Sequence, residues 1–466
     1  MYRLDWLYRV FDGNLDRDFI FWREQKYSYR WLRDHIAAWQ ARIAASGIVR
    51  GAVVAIEGDY SPEVVALLLA LIDAGCIVVP LTASSSPHRE EFKSIAEVQA
   101  AVCFAEGDNF TIAQYERPIG NPVTQKLIAL GDPGLVLFSS GSTGRSKAAL
   151  HNFALLLEKF QTRRNSMVTL TMLLLDHIGG LNTLFYVLSN AGTVVAVDNR
   201  DPDAVCSAIA RHRVELLPTS PTFLNLLLIS EMWRRHDLSS LRRVTYGTEV
   251  MPARTLHRLH EILPEVELLQ TYGLSELGIL RSKSRSSDSL WVRVGGEGVE
   301  TKVQQGTLWI RTRSAMLGYL NAPSPFDEEG WFNTGDSVEV DGEYLRILGR
   351  KSEVINVGGE KVYPVEVENV LLDMPNVKDV TVSAIANPIT GQVVMARFNL
   401  FEAEELPAFR RRMREFCASR LAGYKVPAKV EIADDAQYSE RFKKMRRAGQ
   451  PEVKSEKSCE GSGRNQ

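Results

Sequence analysis

Short apolar runs alternate with longer segments of helical apolar spacing over the first 280 residues. One apolar run leads into Ser61-Pro62-Glu63, and a hydroxyl, a proline and a carboxylate in this order are typical of a helix start. The apolar segment 64–74 then ends at Gly75, and a second apolar run follows it. A strand, a helix and a second strand predict a βαβ unit, and therefore a mostly parallel sheet.

The same alternation continues towards residue 280. It predicts helices over 153–160 and 181–191, and strands over 168–174, 193–197, 215–217, 243–246 and 267–270. Strands and helices that alternate at these lengths indicate a doubly wound α/β architecture for about residues 1–280.

The pattern changes beyond residue 281. Between 291 and 348, short alternating runs are separated by Gly, Asn and Asp, which predicts an antiparallel β subdomain over about 290–348. A short strand, a helix at 365–372, a strand at 377–385 and a basic helix at 407–421 follow and predict a small α+β unit. We therefore expect a large amino-terminal domain over 1–350, a carboxy-terminal domain over 351–448 and a disordered polar tail over 449–466.

Composition narrows the class of protein. A chain of 466 residues is too long for one hydrophobic core, and a formal net charge of −2 gives no reason to expect a nucleic-acid partner. The five cysteines have neither disulfide-framework nor metal-ligand spacing, which favours a reducing cytoplasm. Charged residues interrupt the first residues and the longest apolar run, so we expect neither a signal peptide nor a membrane span.

A loop rich in glycine and hydroxyl groups follows the apolar run at 135–138. Its candidate phosphate-binding residues are Ser139, Ser140, Gly141, Ser142, Thr143, Gly144 and Lys147. Backbone amides, hydroxyls and one ammonium group suit a polyphosphate, although the spacing is not that of the common phosphate-binding loop and a mobile surface turn fits the same residues. The string Ser-Gly-Ser-Thr-Gly-x-x-Lys resembles the pyrophosphate-binding loop of the adenylate-forming superfamily, which includes acyl-CoA synthetases, peptide-synthetase adenylation domains and luciferases. Ser146 and Ala148 depart from the Pro and Gly usual there.

Further stretches match the superfamily in the same order along the chain. Their candidate site residues are Gly247, Thr248 and Glu249, then Thr271, Tyr272, Gly273, Ser275 and Glu276, then Asp336 and Arg350, then Gly358, Gly359 and Lys361. The resemblance implies that the first stretch lies against adenine and the acyl pocket. It implies that the last lines the pantetheine tunnel of coenzyme A when a mobile carboxy-terminal domain turns. Ser352 stands where the family usually has Asp or Lys at the hinge.

The middle stretches suit a nucleotide. Tyr272 can stack on a purine, Ser275 can bond the α-phosphate, and Glu276 can hold Mg²⁺ beside the phosphates. The carboxylate of Asp336 suits the two ribose hydroxyls, and the resemblance implies Arg350 as the second ribose contact. Read singly, these residues also fit turns and surface charges.

The family ends in a Thr-x-x-Gly-Lys-x-x-Arg segment, whose lysine bridges the attacking carboxylate and the α-phosphate. This chain offers two alignments near residue 440. One makes Lys444 the catalytic lysine, with Lys443 in place of the glycine, and it is the alignment we favour. The other makes Lys443 the lysine, with Phe442 at the glycine position and Arg446 as the arginine.

His177 falls where CoA ligases often carry His-x-x-Gly beside the acyl pocket, so we expect it to gate that pocket or orient the carboxylate, although a core histidine fits as well. Amino-acid-activating relatives usually place Asp directly after this position, and Ile178 stands there instead. The sequence therefore favours an acid without an ammonium group.

The resemblance implies an acid-thiol ligase that uses ATP, Mg²⁺ and coenzyme A. A small carboxylic acid would become an acyl-adenylate and then a CoA thioester, with fatty-acid metabolism as the expected setting. Two alternatives stay open: loading of the acyl group onto the phosphopantetheine of a carrier protein, and a non-catalytic nucleotide-binding homologue.

Overall fold

The computed structural model describes residues 3–140, 146–435, 437–439 and 442–446. Over these residues the chain forms two large mixed sheets with helices, an antiparallel β subdomain and a small carboxy-terminal α+β unit. This confirms the predicted α/β fold class.

The first 280 residues alternate strands and helices, as predicted. Their elements are α1 (Asp5–Asp12), β1 (Asp18–Trp22), β2 (Gln25–Ser28), α2 (Tyr29–Ala45), β3 (Val53–Glu57), α3 (Pro62–Ala74), β4 (Ile77–Leu81), α4 (Arg89–Ile95), β5 (Ala100–Phe104), β6 (Phe110–Gln114), α5 (Pro122–Leu130), β7 (Gly134–Ser140), β8 (Ser146–Asn152), α6 (Phe153–Leu157), β9 (Val168–Thr171), α7 (Ile178–Ser189), β10 (Thr193–Ala196), α8 (Pro202–His212), β11 (Leu216–Thr219), α9 (Pro221–Ser230), β12 (Arg243–Tyr246), α10 (Ala253–Ile262), β13 (Glu267–Gln270), β14 (Tyr272–Leu274) and β15 (Gly278–Leu280).

Two seven-stranded sheets organise this region. The first has the order β13-β12-β11-β9-β10-β1-β2 and is parallel except for β2. The second has the order β20-β8-β7-β4-β3-β5-β6, where β20 (Gly318–Tyr319) comes from a later segment, and its four central strands are parallel. Both sheets agree with the βαβ prediction. Antiparallel pairs lie at one edge of the first sheet and at both edges of the second.

Helix α3 lies in the main core of this region, and its ends follow the sequence signals. The hydroxyl of Ser61 accepts a hydrogen bond from the amide of Val64 at 3.1 Å, and Gly75 ends the helix with a left-handed φ of 77°. Every residue from 64 to 72 is buried, because α3 packs against α2 on one side and β strands on the other. A helix that is apolar on all sides belongs inside a core.

The β subdomain is antiparallel, as predicted. Its strands are β16 (Ser282–Ser284), β17 (Trp291–Val294), β18 (Val299–Gln304), β19 (Thr307–Thr312), β21 (Phe332–Asp341) and β22 (Tyr344–Arg350), in the order β16-β17-β22-β21-β19-β18. β21 and β22 form a hairpin in which Asp336 stands opposite Arg350.

The carboxy-terminal unit has its own core and contacts α9 and α10. Its elements are β23 (Ile355–Val357), β24 (Glu360–Val362), α11 (Pro364–Leu372), β25 (Val377–Asn387), β26 (Gly391–Leu400), α12 (Leu406–Cys417) and β27 (Lys429–Ile432). Phe398 and Phe409 pack edge to face in that core at 4.7 Å between ring centroids. The hydroxyl of Ser220, at the start of α9, donates to the carbonyl of Phe442 at 2.9 Å, which ties the chain's last described segment to the first sheet.

Candidate active site

A cavity of about 170 Å³ opens at the carboxyl ends of the parallel strands of the first sheet. Such strand ends are where α/β sheets bind ligands. The cavity joins segments that are far apart in sequence. Its wall contains the predicted site residues Ser139, His177, Gly247, Thr248, Thr271, Gly273, Ser275, Glu276 and Arg350, and the alternative lysine Lys443.

Gly247 and Gly273 are required by the close approach of neighbouring backbone. A Cβ atom on Gly247 would lie 2.6 Å from the hydroxyl of Thr271, and one on Gly273 would lie 2.6 Å from the carbonyl of Gly278. Thr271, the residue directly after β13, occupies the space that a side chain at Gly247 would need. The glycines therefore set the spacing of the strands that carry the cavity wall.

Tyr272 and Asp336 meet beside the cavity although 64 residues separate them. The Tyr272 hydroxyl donates to a carboxylate oxygen of Asp336 at 2.5 Å, and the Nε of Arg350 lies 3.5 Å from the other oxygen. Burial raises the pKa of Asp336, against the opposing effect of Arg350, and burial together with the Asp336 charge raises the pKa of Tyr272 well above its usual value. Tyr272 therefore stays protonated and fixes the carboxylate, while Arg350 reaches the cavity wall.

Glu276 is held by a tyrosine that the sequence did not reveal. The hydroxyl of Tyr319 donates to Oε1 of Glu276 at 2.6 Å, and the ammonium of Lys147 lies 5.0 Å from the centroid of the same ring. Tyr319 stands opposite Ala149 where β20 pairs with β8. Glu276 and Lys147, the lysine at the end of the glycine-rich loop, therefore both contact Tyr319.

His151 is a second residue that the sequence did not reveal. Its imidazole is fully buried, and Nε2 lies 2.6 Å from the carbonyl oxygen of Ser275. Burial lowers the pKa of His151 to about 4, so the ring is neutral near pH 7 and Nε2–H is the donor. The amide of Met316 donates to the carbonyl of Glu276 at 2.7 Å, so both residues of the turn are anchored by their backbone.

We expect His151 to make folding sensitive to acid. The folded-state pKa of about 4 lies below the unfolded value of about 6.5, so as the pH falls between these values the unfolded chain takes up a proton that the folded chain does not. The stabilisation that results from this pKa difference is fully present above about pH 6.5. The free energy of unfolding decreases by up to about 3 kcal/mol as the pH falls to about 4. His151→Gln keeps an N–H donor without a titrating ring, so its denaturation midpoints should change less over this range. Parallel midpoint profiles for the two proteins would contradict this account.

His177 begins α7 and lines the cavity. Its Nδ1 accepts the amide hydrogen of Gly179 at 3.1 Å, so a neutral ring carries its proton on Nε2. α7 starts three residues before the predicted helix because Gly180 packs tightly here: a Cβ atom would lie 1.9 Å from the carbonyl oxygen of Leu174. The imidazole is therefore fixed at a helix start, in the wall of the cavity.

The two candidate lysines have different surroundings. The ammonium of Lys444 lies 2.7 Å from the carbonyl of Val380 and 3.1 Å from a carboxylate oxygen of Asp379, with Glu368 at 4.0 Å. Burial lowers the pKa of Lys444 and these two carboxylates raise it by more, so the net shift is upward. Lys444 does not line the cavity, whereas Lys443 does. The geometry thus places the residue that we favoured outside the cavity and its alternative in the wall.

The backbone of Phe442 agrees with the second alignment. Its φ of 51° is in the left-handed region, which glycine adopts most readily and which is uncommon for an aromatic residue. That alignment puts Phe442 at the family's glycine position and Lys443 directly after it. The Phe442 ring packs edge to face on Phe223 at 5.5 Å between centroids, which holds the segment against α9.

Several predicted residues lie elsewhere. Glu249 accepts hydrogen bonds from the amides of Thr222 at 2.8 Å and Lys444 at 3.3 Å, so it links α9 to the carboxy-terminal segment. Gly358, Gly359 and Lys361 belong to the β23–β24 hairpin and do not line the cavity. Ser140 ends β7, and Gly141, Ser142, Thr143 and Gly144 lie outside the described residues.

The described residues contain no cluster of three or more His, Cys, Asp or Glu that could hold a metal ion. Glu276 is the one predicted metal-binding carboxylate, and a hard cation such as Mg²⁺ usually completes its shell with water and substrate phosphates. The donor set therefore fits Mg²⁺ that arrives with a nucleotide.

In the part of the chain that the structure describes, none of the helices has the length and apolar character needed to cross a bilayer.

Comparisons with known proteins agree with this architecture. The chain matches the AMP-binding enzyme family over residues 8–320 and the AMP-binding enzyme C-terminal domain over residues 366–443. It is 29% identical to an indoleacetate–CoA ligase of Aromatoleum aromaticum, with 88% of this chain and 90% of that protein covered. It is also 29% identical to a feruloyl-CoA synthase of an Amycolatopsis species, with 87% and 90% covered.

A solved structure has the same fold. The anthranilate CoA ligase AuaEII in complex with anthranoyl-AMP superimposes with a TM-score of 0.81 at 21% sequence identity, and 95% of each chain is covered. The two α/β sheets, the β subdomain and the small carboxy-terminal unit therefore define the fold of adenylate-forming enzymes. The chain belongs to the AMP-binding enzyme family.

Proposed function

We propose that this protein is an AMP-forming acid-thiol ligase that converts an aromatic carboxylic acid into its coenzyme A thioester through an acyl-adenylate. The observation that carries the proposal is the meeting of His177, Glu276, Arg350 and Lys443 in one cavity. The names of the similar proteins favour an aromatic acid over the fatty acids expected from the sequence, and coenzyme A over a carrier protein.

In the first half-reaction, a carboxylate oxygen of the substrate attacks the α-phosphorus of ATP. A new P–O bond forms as the bond to pyrophosphate breaks, so negative charge shifts towards the departing group. Lys443 would offset charge between the carboxylate and the α-phosphate, and Lys147 would do so at the pyrophosphate. Asp336, fixed by Tyr272, and Arg350 would hold the ribose.

Two further groups would position the reactants. The imidazole of His177, fixed at the start of α7 by the Gly179 amide, would orient the substrate carboxylate. Glu276 would hold Mg²⁺ with the phosphates of ATP, and the ion would neutralise part of their charge. Tyr319 fixes one oxygen of Glu276, which sets the direction in which the carboxylate faces its ligands.

In the second half-reaction, the thiol of coenzyme A gives its proton to water, and the thiolate attacks the acyl carbon. A C–S bond forms, and the C–O bond to AMP breaks. Gly358, Gly359 and Lys361 lie away from the cavity in this conformation. We infer that the domain over 351–448 turns relative to 1–350 and brings this hairpin to the acyl-adenylate.

The proposal is tested by acid-dependent exchange of labelled pyrophosphate into ATP. We expect exchange with aromatic acids such as anthranilate, indoleacetate or ferulate, weaker exchange with fatty acids, and a CoA thioester when coenzyme A is added. The acceptor is decided by measuring thioester formation with free coenzyme A and with phosphopantetheinylated carrier proteins. Absence of exchange with every acid, in a protein shown to be folded, would support the non-catalytic alternative instead.

A further inference from the structure

A second cavity of about 280 Å³ adjoins the first. The two share one wall, to which Asn182 and Thr183 of α7, Pro218 of β11, Thr245 of β12, and Thr271 and Ile279 contribute. Phe160, Leu269 and Leu280 make part of the second cavity apolar. An acid whose carboxylate lies beside His177 can therefore extend its far end across this wall.

The second cavity is strongly cationic. Lys159, Arg164, Arg243 and Arg281 line it, and no Asp or Glu does so among the described residues. Glu267 compensates one of these charges, at 2.6 Å from Arg243. No carboxylate of the described chain forms an ion pair with the other three.

Lys159 is the inner cation of this group. Its ammonium donates to Oδ1 of Asn182 at 2.6 Å and to the carbonyl of Ile279 at 2.6 Å, and both partners belong to the shared wall. Both acceptors are neutral, and an ammonium has three hydrogens to donate. Burial, together with the nearby charges of Arg164 and Arg281, lowers the pKa of Lys159 to about 7. A partly desolvated cation among other cations is unfavourable until an anion joins it.

We propose that the second cavity binds the far end of the acyl substrate and that this end carries a negative charge, held by Lys159 with Arg164 and Arg281 at the exposed mouth. The substrate class is then an aromatic acid with a second anionic group, such as an aromatic dicarboxylate. This inference rests on the proposed function. An uncharged aryl group in the same cavity is the competing outcome.

The test compares diacids with their neutral isosteres. Terephthalate and para-phenylenediacetate are symmetric, so either carboxylate can react, and each has a mono-amide of nearly the same shape without the second charge. A charged hydrogen bond in a partly buried site is worth about ten- to hundredfold. We therefore expect kcat/KM for pyrophosphate exchange to be higher by about that factor for at least one diacid than for its mono-amide, mainly through KM.

Lys159→Met should remove most of this preference by lowering kcat/KM for the diacid, while the mono-amide changes by less than about threefold. Lys159→Arg keeps the charge and should keep the preference. Lys126→Met removes an exposed lysine of α5 that lines neither cavity and is the matched control. Equal kcat/KM for diacid and mono-amide in the wild-type protein, or an equal loss of both in Lys159→Met, would overturn the inference.

Binding separates this inference from the proposed function. Calorimetric titration of the same diacids and mono-amides into the protein without ATP needs no catalysis. Tighter binding of a diacid, lost in Lys159→Met and kept in Lys159→Arg, supports the charged cavity even if exchange fails. Equal affinity for diacid and mono-amide refutes it even if exchange with neutral aromatic acids succeeds. Thermal unfolding of each variant shows that the protein measured is folded.

Discussion

Replacing Lys443 by alanine is expected to lower the rate of acyl-adenylate formation by about a hundred- to a thousandfold, the usual effect of removing one preorganised stabilising group. Lys443 lies in the cavity wall with Glu276 and Arg350. Its ammonium would oppose charge that develops only as the carboxylate attacks the α-phosphorus, so kcat should fall more than affinity for ATP. Pyrophosphate exchange at saturating ATP measures the effect.

A second measurement separates this role from a structural one. If the carboxy-terminal domain turns between the half-reactions, Lys443 leaves the cavity before the thiol attacks. Thioester formation from a chemically prepared acyl-adenylate should then proceed within about threefold of the wild-type rate in Lys443→Ala. Lys126→Ala is the matched control for loss of a lysine. Wild-type exchange in Lys443→Ala, with exchange abolished in a folded Lys444 variant, would return the assignment to Lys444.

The fold could be predicted where its signals are local. Ser61, Pro62 and Gly75 mark the ends of α3 by chemistry that acts within one turn of helix, and the structure has the helix there. The start of α7 could not be predicted in this way. Gly179 and Gly180 indicate a loop when read alone, yet they are helical, because close packing on Leu174 excludes a side chain at Gly180.

Candidate site residues can be named from the sequence where the residue type itself is informative. Tyr272 and Asp336 lie in recognisable motifs, and the structure joins them by a hydrogen bond. His151 and Tyr319 lie in strand segments with no motif of their own, and each acts on a residue more than 40 positions away. Their roles depend on which strands become neighbours, which a single sequence does not reveal.

The choice between the lysines shows the same limit. The two alignments differ by one residue, and each has a lysine at the motif's Lys position and an arginine at its Arg position. Backbone conformation distinguishes them, because Phe442 adopts the left-handed φ of 51° that suits the family's glycine. The side chain of Lys444 then lies on the opposite side of the segment from the cavity wall, among the acidic residues of the carboxy-terminal unit.

Those acidic residues form a buried ion cluster with Lys444. Lys444 lies 3.1 Å from Asp379, and Arg446 lies 2.9 Å from Glu368 and 3.2 Å from Glu353. The side chain of Glu368 is 1% exposed and that of Lys444 is 7% exposed, so solvent screens these charges little. Removing one member of a buried pair leaves its partner desolvated without compensation, which typically costs about 3–5 kcal/mol.

Lys444→Met is therefore expected to destabilise the protein by about 3–5 kcal/mol, seen as a lower denaturant midpoint and faster proteolysis of the carboxy-terminal unit. Asp379→Asn combined with Lys444→Met removes both charges and should restore part of the loss, because no uncompensated carboxylate then remains at that position. Per folded molecule, the exchange rate of Lys444→Met should fall far less than that of Lys443→Ala. If Lys444→Met is as stable as the wild-type protein, solvent must reach Asp379. The ion cluster would then not be the interaction that holds the segment with Lys443 beside the cavity.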